Sequence, residues 1–164
     1  DALRVLMERQ VGLILESSRL EESMGTNRWE ASEFSRVVRT FERMGDHSFR
    51  ISNLISDFEG DQLPNNPVLL SIIPIWQNSM KLLISNFRKN KISEVHDAKN
   101  QLSSAIRSLE EFEANLWDSD VGRVNALYQD RLSESLRRIC AYSSDMAEIL
   151  INIHNHRKSI EVNL

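Results

Sequence analysis

The chain has 164 residues, of which 41% are apolar and 27% charged, the balance of an ordinary soluble domain with enough material for a core. Its 24 acids against 20 bases give a net charge of −4, which argues against nucleic-acid binding by this segment, since phosphate neutralisation needs a basic stripe. A single cysteine, Cys140, excludes an internal disulfide and fits a reducing compartment, and 5 Gly with 3 Pro leave little for the turns of an all-β fold.

Apolar periodicity predicts five helices. The first runs from about Asp1 to Ser23, with Leu3, Leu6, Gln10, Leu13, Ser17 and Leu20 at steps of three and four. Gly25 is a stop, and Asn27 with Glu30 resembles a capping box for the second helix. That helix covers about Arg28 to Phe58, with a seam of Val37, Phe41, Met44, Ser48, Ile51, Ile55 and Phe58. The composition of residues 61–67 marks a loop. The third helix covers about Val68 to Lys89 on a stripe of Leu69, Ile73, Trp76, Met80, Leu83 and Phe87, with Pro74 expected to bend it or delay its start. The fourth runs from about Ser93 to Trp117 on Val95, Ala98, Leu102, Ala105, Leu109, Phe112 and Leu116. The fifth starts after Asp120, a fitting N-cap, and reaches about Arg157 on Leu132, Leu136, Ile139, Ser143, Met146, Leu150 and Ile153. Residues 158–164 lack a period and read as a frayed tail.

The uncharged run Gln62 to Met80 has an apolar centre of only Val68 to Trp76, which reads as too short for a bilayer. No basic segment followed by an apolar stretch succeeds Asp1, so neither a signal peptide nor membrane insertion is expected.

The second and fifth seams superimpose at a shift of 95 residues, placing Val37 on Leu132, Met44 on Ile139, Ser48 on Ser143 and Arg43 on Arg138. A shared serine inside an apolar seam suggests duplication. The expected organisation is a partial first unit of two helices at 1–60, a loop at 61–67, a three-helix unit at 68–157 and the tail at 158–164. The opening helix of the first unit has no counterpart in the chain, so its seam needs another partner. A neighbouring copy or the helix at 68–89 would supply it.

On the second helix Glu42 and Asp46 stand four residues apart, about 40° from one another around the axis. Ser35 and Asn53 lie near the same line, giving an oxygen-rich ridge opposite the seam. Two such carboxylates can share a metal ion. The plainer reading is surface ion pairing with Arg39 and Arg50, at spacings of three and four.

Phe41-Glu42-Arg43-Met44-Gly45-Asp46-His47, continuing to Ile51, resembles the LERIGDH signature of the PhoU family of phosphate-uptake regulators. The segment Arg137 to Glu148 is similar to a degraded second copy of the same motif, at the position the 95-residue shift selects. The resemblance extends to about Ile153 and implies an all-α, up-down bundle of about five long helices in two related units, the first truncated. It implies iron or zinc bound at Glu42 and Asp46, with His47 beside them in a supporting or packing role. Arg50 replaces a further motif acid, and Arg137 and Ala141 stand where the second motif's ligands would be, so that second site is expected to be dead. Charge exchanged between the copies suggests instead that Glu42 pairs with Arg137, and Arg50 with Asp145, across a pseudo-two-fold.

The resemblance further implies a cytoplasmic, homodimeric regulatory adaptor that restrains phosphate uptake through a phosphate transporter's ATPase or a sensor kinase. An alternative is the effector or dimerisation module of a transcription regulator with an N-terminal AbrB-like DNA-binding domain. His154 and His156 diverge around a helix and cannot chelate together, and helix-end cations are the plainer reading. The three tryptophans, Trp29, Trp76 and Trp117, read as core, and Cys140 as an inert packed thiol. No phosphate-binding loop, Cys-x-x-Cys or nucleophile-base pairing is present, so no enzyme is expected.

Overall fold

The computed structural model describes residues 2–58, 65–117 and 122–162. Among these the chain forms six helices and no strand: α1 (Ala2–Glu16), α2 (Ser18–Met24), α3 (Arg28–Ser56), α4 (Pro67–Lys89), α5 (Ile92–Leu116) and α6 (Arg123–Val162). The all-α bundle expected from periodicity is the observed one.

Local chemistry explains the boundaries. The expected first helix divides at Ser17, whose hydroxyl accepts from Leu20 N–H and so starts α2. A serine pair offers the backbone such a side-chain alternative to a continued helix. Gly25 ends α2 at φ 59°, a left-handed conformation that costs a residue without Cβ nothing. Asn27 caps α3 by accepting from Glu30 N–H at 2.9 Å. Asn66 caps α4 and Pro67 follows it, at the one helical position where a missing N–H is harmless. Pro74 lies inside α4 without ending it. The proposed cap Asp120 falls outside the described residues. Helix α6 continues to Val162, beyond the Arg157 end read from the apolar stripe.

By length and composition alone α4 could cross a membrane, against the expectation that its apolar centre is too short. The helix carries on past Trp76 through Met80, Leu82, Leu83 and Ile84 with Lys81 as its sole charge before Arg88. One face of it is core: Leu69, Ile72, Met80 and Leu83 are buried.

The packing is up-down around α6, which touches α3, α4 and α5. Helix α3 runs antiparallel to it, since Glu30 meets Arg157, Met44 meets Ser143 and Phe58 packs against Tyr128. Helix α4 runs parallel to it, with Asn66 bonded to Gln129 and Trp76 to Ser143. Helix α5 returns antiparallel, tying Glu113 to Arg137 and Lys99 to Glu148. Helix α1 lies on the outer side of α3 through Arg4–Glu42 and Glu8–Arg39. The two expected units share one core, because Val37 and Met44 of α3 belong to the same apolar cluster as Leu83, Leu102, Leu109 and Met146.

Two stabilities follow. Leu102 is fully buried, so Leu102→Ala is expected to cost about 2–5 kcal/mol in chemical unfolding. The Glu30 carboxylate is buried and receives Arg157 Nε at 2.6 Å and Nη2 at 3.2 Å. With Arg157 reaching solvent, Glu30→Ala is expected to cost about 1–3 kcal/mol, and Arg157→Ala to leave the more damaging orphan, a buried carboxylate.

Candidate functional site on helix α3

The carboxylates singled out in the sequence lie on the outer face of α3, toward α1. Glu42 is half-buried and stands 3.0 Å from Arg4 Nε of α1. The guanidinium N–H is not aligned along that line, so the attraction is coulombic more than hydrogen-bonded. Asp46, one turn on, is exposed. The local pairings suggested by spacing give way to interhelical ones: Arg39 reaches Glu8 of α1 at 3.7 Å. A cation from a neighbouring helix lets α1 dock where two acids one turn apart would otherwise repel it.

The fit to a metal is poor. No cluster of three or more His, Cys, Asp or Glu side chains forms among the described residues, and one of the two acids already neutralises Arg4. Iron or zinc needs further anionic or imidazole donors, and this face offers a guanidinium instead.

The charge-exchange pairing does not form. Arg137 is bonded to Glu113 of α5 at 3.1 and 3.2 Å, and Glu42 is paired by charge with Arg4. The antiparallel register explains this. Met44 lies opposite Ser143, which places Glu42 level with Asp145 and leaves Arg137 about two turns away, roughly 12 Å along the axis.

His47 points the other way, into the α3–α6 seam. It is 7% exposed, its ring lies 5.9 Å from that of Tyr142, and its Nδ1 has no hydrogen-bond partner. A neutral ring with its proton on Nε2 buries only a lone pair there. Burial first, then Arg50 and Arg138, hold its pKa below the usual histidine value, against the opposing pull of Glu134 and Asp46. Cys140 is buried and its thiol is pushed up to about 12 by burial, so it stays protonated and unreactive.

Other expectations shift. Trp76 is half-buried and donates to Ser143 Oγ at 2.9 Å, but Trp117 is exposed and Trp29 stacks on His156 at 4.3 Å. His156 therefore makes an interhelical contact from within α6, which runs on past it. The Glu30–Arg157 clamp and the Arg4–Glu42 pair had no legible signal, since each joins helices whose relative register the sequence leaves open.

The α3 seam shows one systematic departure from its α6 counterpart. Leu136 and Leu150 of α6 are 8% and 7% exposed, whereas Phe41 and Ile55, which the 95-residue shift aligns with them, are 42% and 46% exposed. Helix α4 covers the α6 column, as the Trp76–Ser143 bond shows. Among the described residues the α3 column lacks such a cover. Met7, Phe34, Val37, Phe41 and Phe87 instead line an open groove of about 710 Å³, with Glu42, Gly45 and Asp46 on its rim.

Comparison with family models, with curated proteins and with solved structures returns no match for this chain. The groove and the ridge beside it therefore carry the functional reading by themselves.

Two outcomes test the electrostatics. A double-mutant cycle on Arg4→Ala and Glu42→Ala is expected to return a coupling of about 0.2–1 kcal/mol, and the cycle on Glu42 and Arg137 none. Because the folded state depresses the His47 pKa, the unfolded chain binds more protons as pH falls below about 6.5, and stability drops there. His47→Gln is expected to lose less thermal midpoint than the native chain between about pH 7.5 and 5.5; equal losses would remove His47 as the cause.

Proposed function

We propose that this chain is a regulatory adaptor in phosphate homeostasis, acting through protein–protein contacts on α3 and α1. The supporting observation is the open apolar groove at the motif that resembles the PhoU signature: Phe41, Glu42, Gly45 and Asp46 all line it. A ridge of charge beside an apolar trough suits an amphipathic partner helix, whose anchors fill the trough while its polar flank meets the acids. In this reading the partner is a cytoplasmic component of phosphate control, a transporter ATPase or a sensor kinase, and the protein works without a metal. The chemistry at Glu42 supports the last point, because Arg4 takes the place a cation would have.

Gly45 gives a clean test. A Cβ added there meets nothing within 4 Å, so Gly45→Arg keeps the fold while laying a long charged side chain across the groove. Tagged protein recovered from phosphate-replete cells is expected to bring down the transporter ATPase or the kinase, and Gly45→Arg and Phe41→Glu to lose it by roughly tenfold or more. Recovery of promoter DNA instead would favour a transcription-regulator module. Gly45→Ala, which only removes a flexible residue from mid-helix, is expected to raise stability by about 0.5–1 kcal/mol.

A further inference from the structure

A second apolar space lies on the far half of α3, between α3 and α4 and over α6. It measures about 320 Å³. Its floor is Leu136, Ile139 and Cys140 of α6, all buried, and its deep wall is Leu69 and Ile72 of α4, also buried. No charged side chain among the described residues lines it. Ser48 lines it too, but the Ser48 hydroxyl is engaged with the Met44 carbonyl at 2.9 Å.

The slot is stopped at both ends. At one end the Tyr128 ring packs at a tilt against Phe58, centroids 4.7 Å apart, beside the Asn66–Gln129 hydrogen bond of 3.0 Å. At the other, Trp76 is pinned by its 2.9 Å bond to Ser143. A helix cannot pass through such a space, but a small molecule can enter from the side, where Ile55, Leu70 and Ile73 are exposed. Apolar cavities of about 150 Å³ stay dry and accept benzene, so on the same scale this one accommodates roughly twelve carbons.

We propose that the slot binds the hydrocarbon chain of a free medium-chain fatty acid or alcohol, with its polar end at the mouth in water. Apart from the Tyr128 phenol at one end, the described lining offers no free polar group that would hold a carboxylate or phosphate inside. A free chain fits better than a membrane lipid, because the aromatic residues at both ends limit its length and no cation among the described residues lines the slot to meet a headgroup. This site is separate from the groove at Phe41 and does not rest on the adaptor reading.

Trp76 lines the slot and reports on it directly. In the full chain carrying Trp29→Phe and Trp117→Phe, titration with decanoate and with 1-decanol below their aggregation limits is expected to change Trp76 emission saturably, at one ligand per chain. The two affinities should agree within about threefold, since the head stays in solvent. Ser48→Phe, on the solvent side of the slot, fills it and should weaken binding roughly tenfold or more, whereas Ser48→Ala should bind as the parent does. Thermal unfolding of both variants, with and without decanoate, separates a filled slot from a lost fold: decanoate should raise the parent's midpoint and not that of Ser48→Phe. An unsaturable response, many ligands per chain, or equal binding by Ser48→Phe would overturn the proposal. Co-sedimentation with phosphatidylcholine vesicles would overturn the free-chain source.

Discussion

The structure depends on the antiparallel seam between α3 and α6, and that seam turns on one buried hydroxyl. Ser143 is fully buried. It accepts the Trp76 indole N–H at 2.9 Å, gives its own proton to the Ile139 carbonyl at 2.9 Å, and lies 3.1 Å from the Met44 sulfur. One small side chain thus holds α3 and α4 to the middle of α6. A leucine there would fill the space but leave the indole N–H unsatisfied, and an alanine would leave it without an acceptor. Apolar seams slide easily because one heptad resembles the next. A satisfied polar contact at a single level fixes which residues meet.

Much of the fold was legible because helix-long periodicity is a strong signal. The α5 face from Val95 to Leu116, Phe112 only partly, and the α6 stripe from Leu136 to Ile153 are buried as their spacing demands. The α3 stripe was less faithful: Thr40 and His47 are buried while Phe41 and Ile55 are exposed. A periodic pattern shows that a helix has an apolar face, but not which neighbour covers which edge. The α3 stripe carries residues for two neighbours, α6 and one not found among the described residues. The same shift that aligned the helices maps the Met44–Ser143 contact onto Ile139 and Ser48, and both of those line one slot. Antiparallel register alone brings this about, since pairing Met44 with Ser143 sets Ser48 level with Ile139.

The carboxylate ridge was legible as a place, but the cation that meets it was not. Spacing on one helix located Glu42 and Asp46 correctly on a shared face. Which charge meets them depends on another helix, and α1 supplies Arg4. The pairing of Glu42 with Arg137 failed for a related reason: antiparallel neighbours bring together residues equidistant from the crossing on opposite sides, not residues aligned by the repeat. Glu30 shows the same limit, since its part in capping α3 was visible but its carboxylate belongs to Arg157, 127 residues away in the chain.

That separation sets an order of events during synthesis. Helix α3 is complete at Ser56, yet the α6 surface that covers it begins only at Arg123. At roughly 5–20 residues per second, the nascent chain carries an uncovered apolar flank for several seconds or longer. Helices α4, α5 and α6 are consecutive and can condense on one another as they emerge, whereas the amino-terminal half must wait for the last helix before its inner side leaves water. A ribosome paused between α5 and α6 would hold this chain with the inner face of α3 still in water.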